Sequence, residues 1–214
     1  MVAVDGPGGS GKSTVSRRLA DSLGWLHLDT GGYYRAATLA VLRAAVDPDD
    51  PQSSAAEVAR HRYEQERNRM YLDGEDVSSE IRGSEVTAAV SAIAAVPEIR
   101  RILVRAQRAW VAAHRRDVVV EGRDIGTVVF PNADLKVWLT ATTRERARRR
   151  SRETGEALEA VEADLARRDR IDSLRTASPQ RPASDAIHLD TSDLSIEQAV
   201  HRIAAMIPEP AGRD

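Results

Sequence analysis

Short β-branched or apolar runs recur along the chain at Val2–Val4, Trp25–Leu28, Val118–Val120, Leu135–Leu139 and Ala186–Leu189, and longer amphipathic patterns separate them. Short runs alternating with helical spacing predict the buried strands of a parallel sheet. Five such strands with helices on both faces make an α/β, doubly wound core, in which ligands bind beyond the carboxyl ends of the strands. The helical patterns are equally readable. Val15, Leu19 and Leu23 share a face and Gly24 follows as a stop; a second helix is expected over about 32–45. Pro97 opens a third, to about 116, with Ile99, Leu103, Ala106 and Trp110 on one face. Ser195 and Gln198 form a capping box for a last helix expected to bury Ile196, Val200, Ile203 and Ile207.

Two intervals exceed what a crossover needs. After the second strand, Asp47-Pro-Asp-Asp-Pro51 reads as a breaker, a polar stretch follows, and Arg69 to Val77 reads as a strand and turn. After the fourth, the chain is almost wholly charged from Arg144 to Asp172, with six arginines between Arg144 and Arg152. The expected organisation is one unit. Its core is about 1–46, 97–145 and 176–214, with an insert over about 47–96 and a helical lid over about 146–175.

Each strand ends in polar residues, and the first carries the most specific pattern. Gly6-Pro-Gly-Gly-Ser-Gly-Lys-Ser13, between a strand and an amphipathic helix, matches the loop that wraps nucleotide phosphates. Its glycines Gly8, Gly9 and Gly11 are expected to take positive φ, so that successive N–H groups point at phosphate oxygens. Gly6, Pro7, Gly8, Gly9, Ser10, Gly11, Lys12, Ser13 and Thr14 are therefore the expected ATP phosphate site, with Lys12 on the β- and γ-phosphates and the Ser13 hydroxyl on Mg²⁺. Only two of the 31 basic residues are lysines, Lys12 and Lys136, so a chain that uses arginine elsewhere has the compact ammonium here. Glu121, just after the third strand, either orients a Mg²⁺-bound water or caps its loop.

Composition narrows the class. A formal charge of −2 in 214 residues gives no overall basic field, which argues against a dedicated nucleic-acid binder. The chain has no cysteine, which removes disulfides and thiolate chemistry. The absence of a long apolar run or leader pattern predicts a soluble, cytoplasmic protein with no membrane partner. The Asn-Lys-x-Asp guanine reader of GTPases is missing, since the two asparagines, Asn68 and Asn132, precede Arg69 and Ala133. What remains is a small phosphotransferase with a phosphate cradle, an acceptor site and a basic cover that excludes water. An ATP-binding module that touches RNA through Arg144–Arg152 is the alternative from another class.

Five blocks then carry a resemblance: Asp5 to Ser13, Leu28-Asp-Thr-Gly-Gly-Tyr-Tyr-Arg35, Gly74-Glu-Asp-Val-Ser-Ser-Glu-Ile-Arg82, Glu121-Gly-Arg-Asp-Ile-Gly-Thr127 and Arg168-Asp-Arg-Ile-Asp-Ser-Leu-Arg175. Together, and in this order, they resemble the bacterial cytidylate kinase family over nearly the whole chain. The resemblance implies a monomer that phosphorylates CMP and dCMP with ATP and Mg²⁺, an insert that binds the nucleoside monophosphate, and a lid. UMP, AMP or shikimate as acceptor is the alternative within the class.

Carried over by motif, the CMP site would comprise Thr30, Arg35, Ser91, Arg100, Arg123, Asp124, Arg168, Asp172 and Arg175. Ser91, Arg100 and Asp124 would meet the base, Arg35 and Arg123 the phosphate, and Asp172 with Arg168 the ribose. A carboxylate and a hydroxyl suit cytosine's amine, and a guanidinium suits its N3 or O2. Uracil would leave polar groups unpaired at the same positions. Transfer itself is expected to rest on Lys12, Arg123 and some of Arg148, Arg149 and Arg152. Without the resemblance, a single arginine in that run reads first as part of a solvated helix face and Ser91 equally as a packing residue, while Asp124, just after a strand, reads as a site residue ahead of an ion-pair partner of Arg123. Two departures stand out. His61 to Arg69 is unusually polar for an antiparallel sheet, which leaves the insert's strand count open, and Gln180 replaces a leucine, a change expected to affect packing rather than chemistry.

Overall fold

The computed structural model describes residues 1–114, 117–174 and 180–208, apart from the side chains of Asp172 and Leu174. These residues form two compact units, one built on Met1–His27, Asp117–Leu174 and the stretch beyond, the other on 28–114. The chain passes from the first to the second within a strand.

The five expected strands are β1 (Val2–Asp5), β2 (Leu26–Asp29), β6 (Val118–Gly122), β7 (Leu135–Thr140) and β8 (Ile187–Asp190), in the spatial order β2-β6-β1-β7-β8. β1 pairs in parallel with β6 and β7, and β7 with β8. The register sets Val2 beside Val119 and Leu135, and Val137 beside Val4 and Ile187. Alternation therefore turns Val2, Val4, Val119, Leu135, Val137, Leu139 and Leu189 to one layer. Two helices complete that layer, α1 (Lys12–Leu23) through Val15, Leu19 and Ala20, and α8 (Ile196–Ala204) through Ala199 and Ile203.

Gly24 ends α1 in the left-handed conformation (φ 64°), and the capping box of α8 forms, with Gln198 N–H on Ser195 Oγ at 3.2 Å. Ile196 departs from expectation: it is exposed, because side chains tilt toward a helix N-terminus and the first residue projects past the helix start. The charged run folds as α6 (Thr143–Thr154) and α7 (Leu158–Leu174), turned at Gly155 (φ 75°). A small apolar cluster of Ala147, Leu158, Val161 and Leu165 holds them together.

In the second unit, α2 (Thr30–Arg43) starts two residues before the expected point, because Asp29 Oδ1 accepts from Gly32 N–H at 3.0 Å. The segment read as a breaker and polar stretch is instead a helix start. Asp50 caps α3 (Pro51–Val58) by accepting from Gln52 and Ser53 N–H, and Pro51 takes its first position. The polar insert contains three antiparallel strands, β3 (Tyr63–Glu66), β4 (Arg69–Leu72) and β5 (Glu75–Asp76). Its alternation is real, with Tyr63 and Gln65 inward on β3 and Met70 and Leu72 inward on β4. Inward Gln65 is tolerable because it is satisfied: Oε1 accepts from Asp29 N–H at 2.9 Å and Nε2 donates to the Arg67 carbonyl at 2.7 Å. α4 (Ser84–Ala95) and α5 (Pro97–His114) follow, separated by Val96 in the extended conformation that proline imposes on its predecessor.

Candidate active site

The loop Gly6–Gly11 leaves β1 and turns into α1. Gly11 (φ 85°) starts the helix and no side chain caps it, so the first N–H groups of α1 are presented for an anion together with the helix dipole. Gly6 is fixed by space: a Cβ there would stand 2.1 Å from the Leu139 carbonyl oxygen. Gly9 also takes positive φ but Gly8 does not, contrary to expectation. Instead, a Cβ on Gly8 would press within 3.3 Å of both Arg123 Nη2 and Leu165. Lys12 Nζ curls back over the loop and donates to the Pro7 carbonyl at 3.2 Å. Ser10 is buried, and Thr14 faces solvent.

Beside the loop, Ser13 Oγ donates to Glu121 Oε2 at 2.8 Å, and His27 Nε2 lies 3.5 Å from Glu121 Oε1. Burial pushes the Glu121 carboxyl up, but His27, the Lys12 charge and the Ser13 hydroxyl together hold it below the usual carboxylate range.

β6 delivers Arg123 and Asp124 on the turn that follows it. Arg123 Nη1 reaches the Gly6 carbonyl at 3.5 Å and Gln180 Oε1 at 3.4 Å, so Gln180 touches a candidate site residue rather than serving only as packing. Asp124 is buried, and a π-helical turn over Ile125–Val129 follows it. The Asp5 carboxylate accepts the N–H groups of Ile125 (2.7 Å) and Gly126 (2.8 Å) from beneath. Burial raises the Asp5 carboxyl to about 6, against the pull of those two bonds and of Lys12 and with a further push from Asp124.

On α6 the arginines separate. Arg149 donates to the Thr191 carbonyl at 2.6 Å and hydroxyl at 3.1 Å and reaches the Ser10 carbonyl at 3.5 Å. Arg148 has a half-exposed side chain 3.8 Å from Glu145, and Arg152 is exposed. Sequence reasoning passes over the arginine that engages the loop most closely. Arg146, 5% exposed, donates to the Gly8 carbonyl (2.8 Å), the Ala141 carbonyl (3.2 Å) and Thr143 Oγ1 (3.1 Å), and pairs with Asp169 at 2.7 Å. The available signal was its spacing of three from Arg149, which puts both on one helix face.

The remaining candidates stand in the second unit or on α7. Thr30 is buried at the start of α2, and Arg35 on α2 donates to the Ile81 carbonyl (3.2 Å) and to Thr87 Oγ1 (3.0 Å). Ser91 is buried on α4. Arg100 is buried on α5, where it donates to the Ala94 carbonyl at 3.2 Å and lies 5.3 Å above the Tyr34 ring. Neither Tyr34 nor Thr87 was among the expected site residues. Arg168 Nη1 is 3.9 Å from Asp164. The Asp172 side chain and Arg175 lie outside the described residues.

Two measurements test this geometry. Lysine at position 146 keeps the charge but cannot reach four partners in three directions; Arg146→Lys is expected to weaken ATP binding by about 1.5–3 kcal/mol, read by calorimetric titration. Asp5 binds its proton more tightly folded (about 6) than unfolded (3.8), so its contribution to stability is present at low pH and lost as pH rises through 6. The stability of the wild type relative to Asp5→Asn should fall by about 2 kcal/mol between pH 4.5 and 7 in urea unfolding. A difference that does not change with pH would contradict the assignment.

Residues 2–209 match the family model described as cytidylate kinase. A protein named cytidylate kinase from Nocardia farcinica (strain IFM 10152) is 51% identical over 218 residues, covering 98% of this chain and 94% of its own. Another of that name, from Mycolicibacterium paratuberculosis (strain ATCC BAA-968 / K-10), is 50% identical, covering 97% and 94%. Among solved structures, an uncharacterized protein from Eubacterium ventriosum ATCC 27560 aligns over 96% of both chains with a TM-score of 0.53 and 13% identity, a likeness of fold alone. A family model spanning nearly the whole chain, and relatives at about half identity end to end, show that the chain belongs to the cytidylate kinase family.

Proposed function

We propose that this nucleoside monophosphate kinase transfers the γ-phosphoryl group of ATP to CMP or dCMP with the following division of labour. The observation that carries the reading is Arg123, which reaches from the turn after β6 to the phosphate loop and stands next to the carboxylate suited to cytosine's amine. The loop from Gly6 to Thr14 holds the donor phosphates, with Lys12 on the β- and γ-oxygens. Arg35 and Arg123 hold the acceptor phosphate as planar forks, with Thr30 beside them and Arg175 joining. Ser91, Arg100 and Asp124 read the base, and Arg168 with Asp172 holds the ribose. Residues 47–96 serve as the monophosphate-binding insert and 146–175 as the lid. Since one chain carries donor and acceptor residues, a monomer suffices, and we place the reaction in the cytoplasm.

The step needs no strong base. An anionic oxygen of the CMP phosphate attacks the γ-phosphorus, the bond to the β–γ bridging oxygen breaks, and CDP and ADP result. The protein's work is alignment and charge neutralisation, by Lys12 and Arg123 and by lid arginines among Arg148, Arg149 and Arg152. The pair of hard oxygen donors, Ser13 Oγ and Glu121 Oε2, fits Mg²⁺, with Ser13 as direct ligand and Glu121 acting through water. Bound there, the ion would neutralise phosphate charge.

A coupled ADP-release assay over CMP, dCMP, UMP and AMP tests the reading: UMP or AMP outpacing CMP would overturn it. Asp124→Ala is expected to narrow the CMP-to-UMP preference by about 10–100-fold, the size of one or two mispaired polar groups. Arg35→Ala should lose acceptor use by a similar factor while the affinity for ATP stays unchanged; equal losses on both substrates would remove Arg35 from the acceptor site.

A further inference from the structure

We propose that Asp5 is a positioning residue for the acceptor nucleotide, holding through two backbone bonds the turn on which Arg123 and Asp124 stand. The inference rests on the assignment of those two residues to the acceptor. β6 ends at Gly122, and the chain must then present two charged side chains on irregular backbone, with Asp124 at φ −147° and ψ 29°. The π-helical turn beyond closes with Val129 N–H on the Asp124 carbonyl (3.1 Å) and Phe130 N–H on the Ile125 carbonyl (2.7 Å). These bonds leave the first N–H groups of the turn without a partner inside it. Asp5 accepts two of them, one on each carboxylate oxygen, so the plane of the carboxylate and the direction of the turn are fixed together.

A lysine crowds the same turn. A Cβ on Gly126 would stand 3.0 Å from Lys136 Cδ and 3.4 Å from Asp5 Oδ2, so the two side chains together fill the space into which a side chain at 126 would project. Lys136 cannot drift, because Asp185 holds its ammonium at 3.0 and 2.8 Å. Two donors facing one group call for a carboxylate: asparagine would accept one N–H and turn its own NH₂ toward the other. Stability alone does not explain the choice, since burial makes ionised Asp5 unfavourable near neutral pH. Asp5 is also close enough to feel the Lys12 charge, so a role in the phosphate loop is the competing explanation.

Full-length Asp5→Asn, assayed with ATP, CMP and UMP varied in turn, separates the two. We expect the KM for CMP to rise about tenfold or more and the CMP-to-UMP preference in kcat/KM to narrow by a similar factor, with the KM for ATP within about threefold of wild type. Parallel rises for ATP and CMP would assign Asp5 to the loop, and unchanged constants would deny it either role; both overturn the proposal. Asp124→Ala run alongside distinguishes the failures. If it leaves the CMP preference intact, the acceptor assignment itself is wrong; if it narrows the preference and Asp5→Asn does not, only the role of Asp5 falls. Should the variant not fold, amide exchange in the wild type decides: Ile125 and Gly126 N–H should be protected about a hundredfold or more over exposed-turn amides, and unprotected amides would overturn the anchor.

Discussion

The placing of β1 between β6 and β7 is the constraint from which the arrangement of the candidate site residues in the first unit follows. Parallel pairing brings the carboxyl ends of all three strands to the same edge, so the phosphate loop, the Arg123–Asp124 turn and the entry to α6 emerge side by side. β1 is four residues long and paired on both sides. Its last residue, Asp5, pairs in register with Gly122 and Trp138, and from that central place its side chain reaches the turn beyond β6 while the next residue passes 2.1 Å (for a hypothetical Cβ) from the Leu139 carbonyl. No larger residue than glycine fits at that exit.

Around this edge the protein buries charge and satisfies it locally. Glu121, Asp5 and Arg146 are all nearly inaccessible, and each would be costly if left unpaired. Each instead meets donors or acceptors in fixed directions: Glu121 meets Ser13 and His27, Asp5 two backbone N–H groups, and Arg146 two carbonyls, a hydroxyl and Asp169. Groups held this way have fixed directions, the kind of preorganisation on which electrostatic stabilisation of phosphoryl transfer draws. The same logic separates the two lysines from the arginines. A narrow stem lets Lys136 slide under Gly126, and a compact ammonium lets Lys12 fold over its own loop.

The strands and the principal helices were legible because each is a short apolar run or a helical stripe with its own start or stop signal, as at Pro97 and Gly24. The loop after β1 was legible as a turn into a helix because its signal is local: glycines, a lysine and a serine at fixed spacing between a strand and an amphipathic helix. Misreadings arose where a residue had two meanings. Asp50-Pro51 signals a break and a helix start equally well, and only the capping bonds to Gln52 and Ser53 decide between them. Gln65 lies in the stretch that reads as too polar for a sheet, and its amide finds Asp29 from 36 positions away, a partner no local pattern reveals. Arg146 was hidden for the opposite reason, since five similar arginines surround it.

The division among those arginines shows what an arginine-rich helix can do that its composition does not reveal. α6 presents a different group at each turn: Arg146 and Arg149, three apart, turn toward the carbonyls of Gly8 and Ser10, while Arg148 and Arg152 turn to solvent. The inward pair braces the loop, and Ala147, set between them in sequence, packs on Val161 and Leu165 to join α6 to α7. Asp169 on α7 completes the Arg146 fork, so movement of α7 away from α6 would withdraw a carboxylate from a buried guanidinium that also holds Gly8. Such a withdrawal is costly for a buried cation, which ties the position of α7 to the shape of the loop at Gly8. In this unit, then, the loop geometry and the packing of α6 on α7 are linked through a single side chain.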